Sequence, residues 1–325
     1  MVADLTGELE QKTSMITGLN LAVQQSKAHA SGMQAIGEAG LKRSSFSRAI
    51  VPWLRFSAGL SQKQGGYGVT EVTQEFKLEH AEIQDTWRQG GRAGRANPYN
   101  LVRIEAVEPQ RCAMGFEVKV EQVEARRMGG ISVFNAQFDD PDGEKKAVLD
   151  FAKQHFWRTD FLERATLMLV FHGCPPDVAD SICQTGFANV ATRDRGYLGN
   201  GLYSTLCPEY ACAYACGDID GSAVTPNEDG EYVVIAAWAT PGLIYPMSRA
   251  VDYAAGEEFT RFYKKPPYPA AALQAPFDSH FAAISRSTWQ VQDGLRSGAM
   301  PDYTELVVKE GQQMLPAYRL FFKKP

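Results

Sequence analysis

Three apolar runs of strand length constrain this chain most: LMLVFHG (167–173), YVVIAAWAT (232–240) and TELVV (304–308). Runs with so little polar alternation need cover on both faces, so each predicts a buried strand. AYRLFF (317–322) alternates like a strand near the end of a sheet, and YNLVRIEAVE (99–108) is a further strand candidate. Between them lie segments with helical spacing: AVLDFAKQHFWR, DFLERA and CPEYACAYAC. PPDVADSICQTGF starts with prolines suited to a helix N-terminus and ends with a glycine suited to its C-terminal side. FEVKVEQVEARR fits strand or helix equally. Strands set among short helices with no regular βαβ rhythm predict an α+β fold.

The preceding third reads differently. Residues 1–50 are polar and small, with Leu9, Ile16, Leu19 and Val23 on a thin helical stripe that Gly18, Gly32, Gly37 and Gly40 weaken. Residues 51–97 alternate in WLRFSAGL and GYGVTEVTQEFKLE, predicting short strands as far as Trp87, and end in the linker-like RQGGRAGRANP. Residues 98–325 form the third and largest unit.

With 325 residues, 44% of them apolar, the chain has material for at least one full core. A formal charge of −5 argues against a protein whose main work is to wrap nucleic acid. No run suits a membrane span, and MVADLTGELEQK lacks the pattern of an export signal. The expectation is a soluble protein of the cytoplasm or nucleus, or a bacterial protein delivered into a host cell. Six scattered cysteines suit a reducing compartment. Cys207, Cys212 and Cys216 suggest a metal cluster, but only the last two share a helix face and no fourth ligand lies nearby, so no metal is expected.

Candidate chemistry gathers at strand ends. His172 closes a buried strand and is followed by Gly173, whose backbone a ligand can approach. RGYLGNGLYST (195–205) sets Tyr197 and Tyr203 around a glycine-rich turn, and Tyr210 and Tyr214 follow at helical spacing. Rings at 203 and 214 suit a sandwich around a flat heteroaromatic group. Glu305 opens the apolar run Leu306-Val307-Val308, an acid at the edge of a hydrophobic element. Each has an ordinary reading as well: a satisfied strand-end histidine, packed tyrosines and a water-facing carboxylate.

Taken together, LVFHG, SICQTGF, GYLGNGLYST with PEYACAYA, and YTELVV with QQMLPAYRL resemble the catalytic domain of poly(ADP-ribose) polymerase-type ADP-ribosyltransferases, in the diphtheria-toxin-like group with a His-Tyr-Glu triad. VRIEAVEP, WATPGLIYP and FDSHFAAIS are similar to further family segments, and the ordered set spans residues 98–325. The resemblance implies split, mostly antiparallel sheets flanked by short helices, with NAD as co-substrate and no metal. It implies that His172, Tyr203 and Glu305 are the catalytic triad. Gly173 would then hold the nicotinamide carboxamide through its backbone, His172 a ribose hydroxyl, and Tyr203 and Tyr214 the nicotinamide ring. Cys174, Tyr197, Gly201 and Tyr210 would complete the donor site. Cys174 stands where the family usually has Ser or Thr, and Ala211 where many members have Ser, so two hydroxyl contacts to NAD are missing.

The implied activity is transfer of ADP-ribose to a protein or other macromolecule, automodification included, with no nucleic-acid or membrane partner. A triad glutamate permits chain elongation in the family. The short stretch from Phe187 to Tyr197, and no evident regulatory helical domain, favour single transfer. Plain NAD hydrolysis is a close variant. The alternatives are an inactive module that binds an NAD-like ligand or a protein, and a cysteine hydrolase built on Cys174.

Overall fold

The run 232–239 is buried along nearly its whole length, and a strand covered on both faces belongs inside a sheet. The computed structural model describes residues 68–71, 78–91, 95–108, 110–128, 137–156, 166–188, 196–219, 221, 223–265 and 268–325. All of these lie in one compact unit, Pro52–Pro325. Its strands are β1 (Gly68–Glu71), β2 (Asn100–Glu108), β3 (Met168–Gly173), β4 (Leu202–Ser204), β5 (Tyr232–Ala239), β6 (Ile244–Pro246), β7 (Ser279–Ile284), β8 (Tyr303–Val308) and β9 (Met314–Lys323). They form a five-stranded sheet in the order β1-β2-β9-β5-β3 and a four-stranded sheet in the order β4-β8-β7-β6. Strand pairs are antiparallel except β6 with β7. The architecture is α+β, and β5 sits between β9 and β3 as its apolar run requires.

Pro316 lies inside β9 and cannot donate to the ladder. The register accommodates it with a shift: Ala236 faces Tyr318 and Ala237 faces Pro316, leaving Ala317 as the extra residue of a bulge.

The helices are α1 (Leu78–Gln89), α2 (Gln110–Met128), α3 (Glu144–Gln154), α4 (Pro176–Thr185), α5 (Pro208–Ala215) and the single turn α6 (Arg249–Asp252). The open segment FEVKVEQVEARR is helical, within α2. Residues 78–89, read from the sequence as strand-like, are instead helix α1. LEHAEIQDTWRQ is rich in helix formers and buries Ile83 and Trp87 at i, i+4, a helical rather than a strand spacing. Within the expected region 51–97, β1 pairs with β2, and Trp87 Nε1 donates to the Tyr99 carbonyl at 3.2 Å, so these residues belong to the same body as the larger sheet. Residues 1–50, WLRFSAGL, DFLERA and Arg92 of the linker lie outside the described residues. No helix among the described residues is long and apolar enough to cross a membrane.

Candidate active site

The two sheets meet where Phe171 of β3 and Thr205, just after β4, exchange N–H to O bonds of 2.7 and 2.9 Å. That junction places the end of β3, carrying His172, beside β4. His172 Nδ1 lies 2.9 Å from the Tyr203 carbonyl. A carbonyl only accepts, so Nδ1 carries the proton. Burial lowers the His172 pKa, which keeps the ring neutral and leaves Nε2 as a hydrogen-bond acceptor.

Tyr203 faces Val307 across the β4–β8 pair, and Glu305 is two residues from Val307, so Tyr203 and Glu305 share one face of the sheet. The strand-edge expectation for Glu305 is corrected here. It is the third residue of β8, paired with Ala282 of β7 and 8% exposed. Its carboxylate oxygen Oε1 accepts the Tyr210 hydroxyl at 2.7 Å. Burial and the Glu305 charge hold the Tyr210 phenol well above its ordinary range, so it remains a donor. Tyr214, one turn later on α5, is edge-on to Tyr210 at 5.0 Å, with the hydroxyls 3.4 Å apart, and is part-exposed.

The Tyr203 hydroxyl is committed to the glycine-rich turn. It donates to the Gly199 carbonyl at 2.7 Å and accepts the Leu198 N–H at 3.0 Å. Its hydroxyl is therefore engaged within the turn. His280 of β7 ties the same turn, with Nδ1 donating to the Leu198 carbonyl at 2.7 Å and Nε2 accepting the Gln274 N–H at 2.8 Å. Within the turn Asn200 Oδ1 is buried with no hydrogen-bond partner among the described residues.

Burial pushes the His280 pKa down from 6.5 to about 4. A ring neutral when folded and protonated when unfolded stabilises the fold fully above pH 6.5, and that contribution is lost as pH falls toward 4. The loss is on the order of 3 kcal/mol, and His172 acts in the same direction. Chemical denaturation at a series of pH values reads it: His280→Gln should flatten the decline between pH 6.5 and 4, and an unchanged slope contradicts the assignment.

The glycines of the motif have packing reasons. A Cβ on Gly173 would sit 2.0 Å from the Ala211 carbonyl oxygen and 2.9 Å from the Ala215 nitrogen, both backbone atoms of α5. One on Gly201 would meet the Val308 carbonyl oxygen at 2.5 Å. Gly199 has φ 110°, a conformation that L side chains rarely adopt. Gly173→Ala should thus cost about 1–3 kcal/mol or more by forcing α5 away from β3. A thermal melt with an unchanged midpoint would refute that packing.

Two further candidates have surroundings of their own. Cys174 is 5% exposed in the core, beside Ala179 and Cys183 on α4, and burial pushes its thiol pKa well up. That environment does not suit a nucleophilic thiolate. Tyr197 is half-exposed and stacks on Tyr263 (5.2 Å, 9°) and Phe259 (5.6 Å, 26°), a separate aromatic trio.

Sequence reasoning missed four residues. Tyr303 stacks on Tyr210 at 4.4 Å and 12°, and its position two before Glu305 in a strand was the available signal. Trp289 lies parallel to both rings, from a loop with no periodicity to announce it. Asp252 and Lys145, far apart in sequence, form a fully buried ion pair at 3.0 Å that both members tie to the Tyr245 hydroxyl of β6. The chain matches no known protein-family model and no curated protein at a significant level, so the reading of this site rests on its own residues.

Proposed function

We propose that the protein is an NAD-dependent ADP-ribosyltransferase of the His-Tyr-Glu type, releasing nicotinamide and transferring ADP-ribose to a protein acceptor, with single transfer favoured. The observation that carries this reading is the buried Glu305 carboxylate on the sheet face of Tyr203, next to the strand end that bears a neutral His172. The sheets joined at Phe171–Thr205 also suit the split-sheet fold of that family.

The residues present fit the dinucleotide in three ways. His172 Nε2 is an acceptor for a ribose hydroxyl. The part-exposed ring of Tyr214, with Tyr203 on the neighbouring strand, suits a flat pyridinium. The orphaned Asn200 Oδ1 offers an acceptor in the turn beside Tyr203.

NAD supplies the scissile bond between nicotinamide and ribose. As that bond breaks, its electron pair leaves with nicotinamide and positive charge grows on the sugar. Glu305 accepts a hydrogen bond from the 2′-hydroxyl and stabilises that charge more in the transition state than in the ground state. Tyr210 holds the carboxylate in place, and His172 aligns the ribose. The acceptor nucleophile then bonds to the sugar carbon and gives up its proton to solvent water.

The test is incubation of the purified chain with NAD, followed by assay of free nicotinamide and mass spectrometry of the protein. Expected are nicotinamide release and additions of one ADP-ribose mass. An absence of both in the wild type would leave the alternative, a binding module without turnover.

A further inference from the structure

Trp289 is, among the described residues, the one non-glycine residue with a left-handed backbone, φ 56°. A bulky side chain in that region is strained, and strain persists only where the surroundings hold it. Here they do. The Trp289 N–H donates to the Ser285 carbonyl at 2.8 Å and the Ser285 N–H to the Gln290 carbonyl at 2.9 Å. Gln290 donates to the Glu258 carbonyl at 3.0 Å, and the Val291 N–H to the Tyr253 hydroxyl at 3.1 Å. Further along the loop, the buried Glu144 carboxylate accepts the N–H groups of Gly294 and Leu295 at 2.8 and 2.6 Å.

The outcome is a precise ring plane. The indole lies within 8° of Tyr303 and 14° of Tyr210, at 5.9 and 6.0 Å. Those two tyrosines stack directly, and the Tyr210 hydroxyl bonds Glu305. Yet the indole is 44% exposed, so burial of the ring does not by itself account for holding a strained backbone. A strained residue, aimed at a stack that ends on one carboxylate, points to that carboxylate.

We propose that Trp289 is a positioning residue for Glu305: the indole fixes the tilt of the Tyr303–Tyr210 pair, and the Tyr210 hydroxyl fixes the carboxylate. This inference rests on the function proposed above. It differs from a stability role because Trp289→Gly removes the ring and also relieves the backbone strain.

The experiment measures kcat and KM for nicotinamide release, together with the melting midpoint, for wild type, W289G, W289F and Y210F. Expected for W289G is a fall in kcat of roughly 10- to 100-fold, the scale of a small misplacement of a reacting group. KM for NAD should stay within about twofold and the midpoint should not fall. W289F should restore most of kcat, Y210F should show a similar defect, and the double variant W289G/Y210F should lose no more than Y210F, as expected of one relay. Wild-type kcat in W289G, or a defect that follows a lowered midpoint and is not rescued by W289F, overturns the inference while the enzyme reading stands. Absence of release by the wild type overturns both.

Discussion

Glu305→Gln should lower the rate of nicotinamide release at saturating NAD by about 10²- to 10³-fold, with KM for NAD nearly unchanged. The amide keeps the size of the side chain and an oxygen that still accepts the Tyr210 hydroxyl, so the fold should survive. What it loses is the negative charge. That charge matters little to bound ground-state NAD and much to a sugar that is becoming cationic, so the defect belongs in kcat. Steady-state kinetics with matched melting curves make the comparison. A variant with wild-type kcat would remove Glu305 from the chemistry, and a fall confined to KM would make it a binding residue only.

The largest expected effect on stability comes from Asp252→Ala. Lys145 and Asp252 are both fully buried, with Nζ and Oδ2 3.0 Å apart. Lys145 also donates to the Tyr245 hydroxyl, which in turn donates to Asp252 Oδ1 at 2.8 Å. Removing the carboxylate leaves the ammonium without its counter-charge in a dry interior, and such an uncompensated charge typically costs about 3–5 kcal/mol. Burial already lowers the Lys145 pKa even with Asp252 in place, which shows how poorly solvated the ammonium is. Lys145→Met should cost less. Asp252 would keep donors from Tyr245, the Ser248 N–H at 3.0 Å and the Arg261 guanidinium at 3.3 Å. Denaturant unfolding of the two variants tests this order. Equal losses, or a greater loss in the methionine variant, would contradict the asymmetry.

This pair also bears on the candidate site. Tyr245 of β6, which it anchors, packs in the same core cluster as Tyr203, Tyr210, Tyr303 and Val307.

The fold was legible where burial is two-sided or spacing is strict. The uninterrupted run at β5 and the Pro-to-Gly frame of α4 left little choice of element. Residues 78–89 misled because local alternation around charged residues fits a helix equally when, among the described side chains, Ile83 and Trp87 are the buried apolar anchors. His172, Tyr203 and Glu305 could be picked out because each sits on or beside an apolar strand, but the depth of Glu305 within β8 could not. Burial of that position depends on β7, which is supplied from elsewhere in the chain. The Tyr210–Glu305 bond and the Trp289 plane join residues 95 and 79 positions apart, and no local pattern encodes such contacts. The glycine-rich motif suggests openings for a ligand, and at Gly173 and Gly201 the backbone of α5 and β8 adds a packing reason that local sequence does not announce.

The most direct measurement is a crystal structure of the protein soaked with a slowly hydrolysed NAD analogue. The account requires the His172 Nε2 atom and the Glu305 carboxylate within hydrogen-bond distance of hydroxyls on the nicotinamide ribose, with the pyridine ring against Tyr214. An analogue bound at another surface, or His172 and Glu305 facing separate cavities while it is bound, would contradict it.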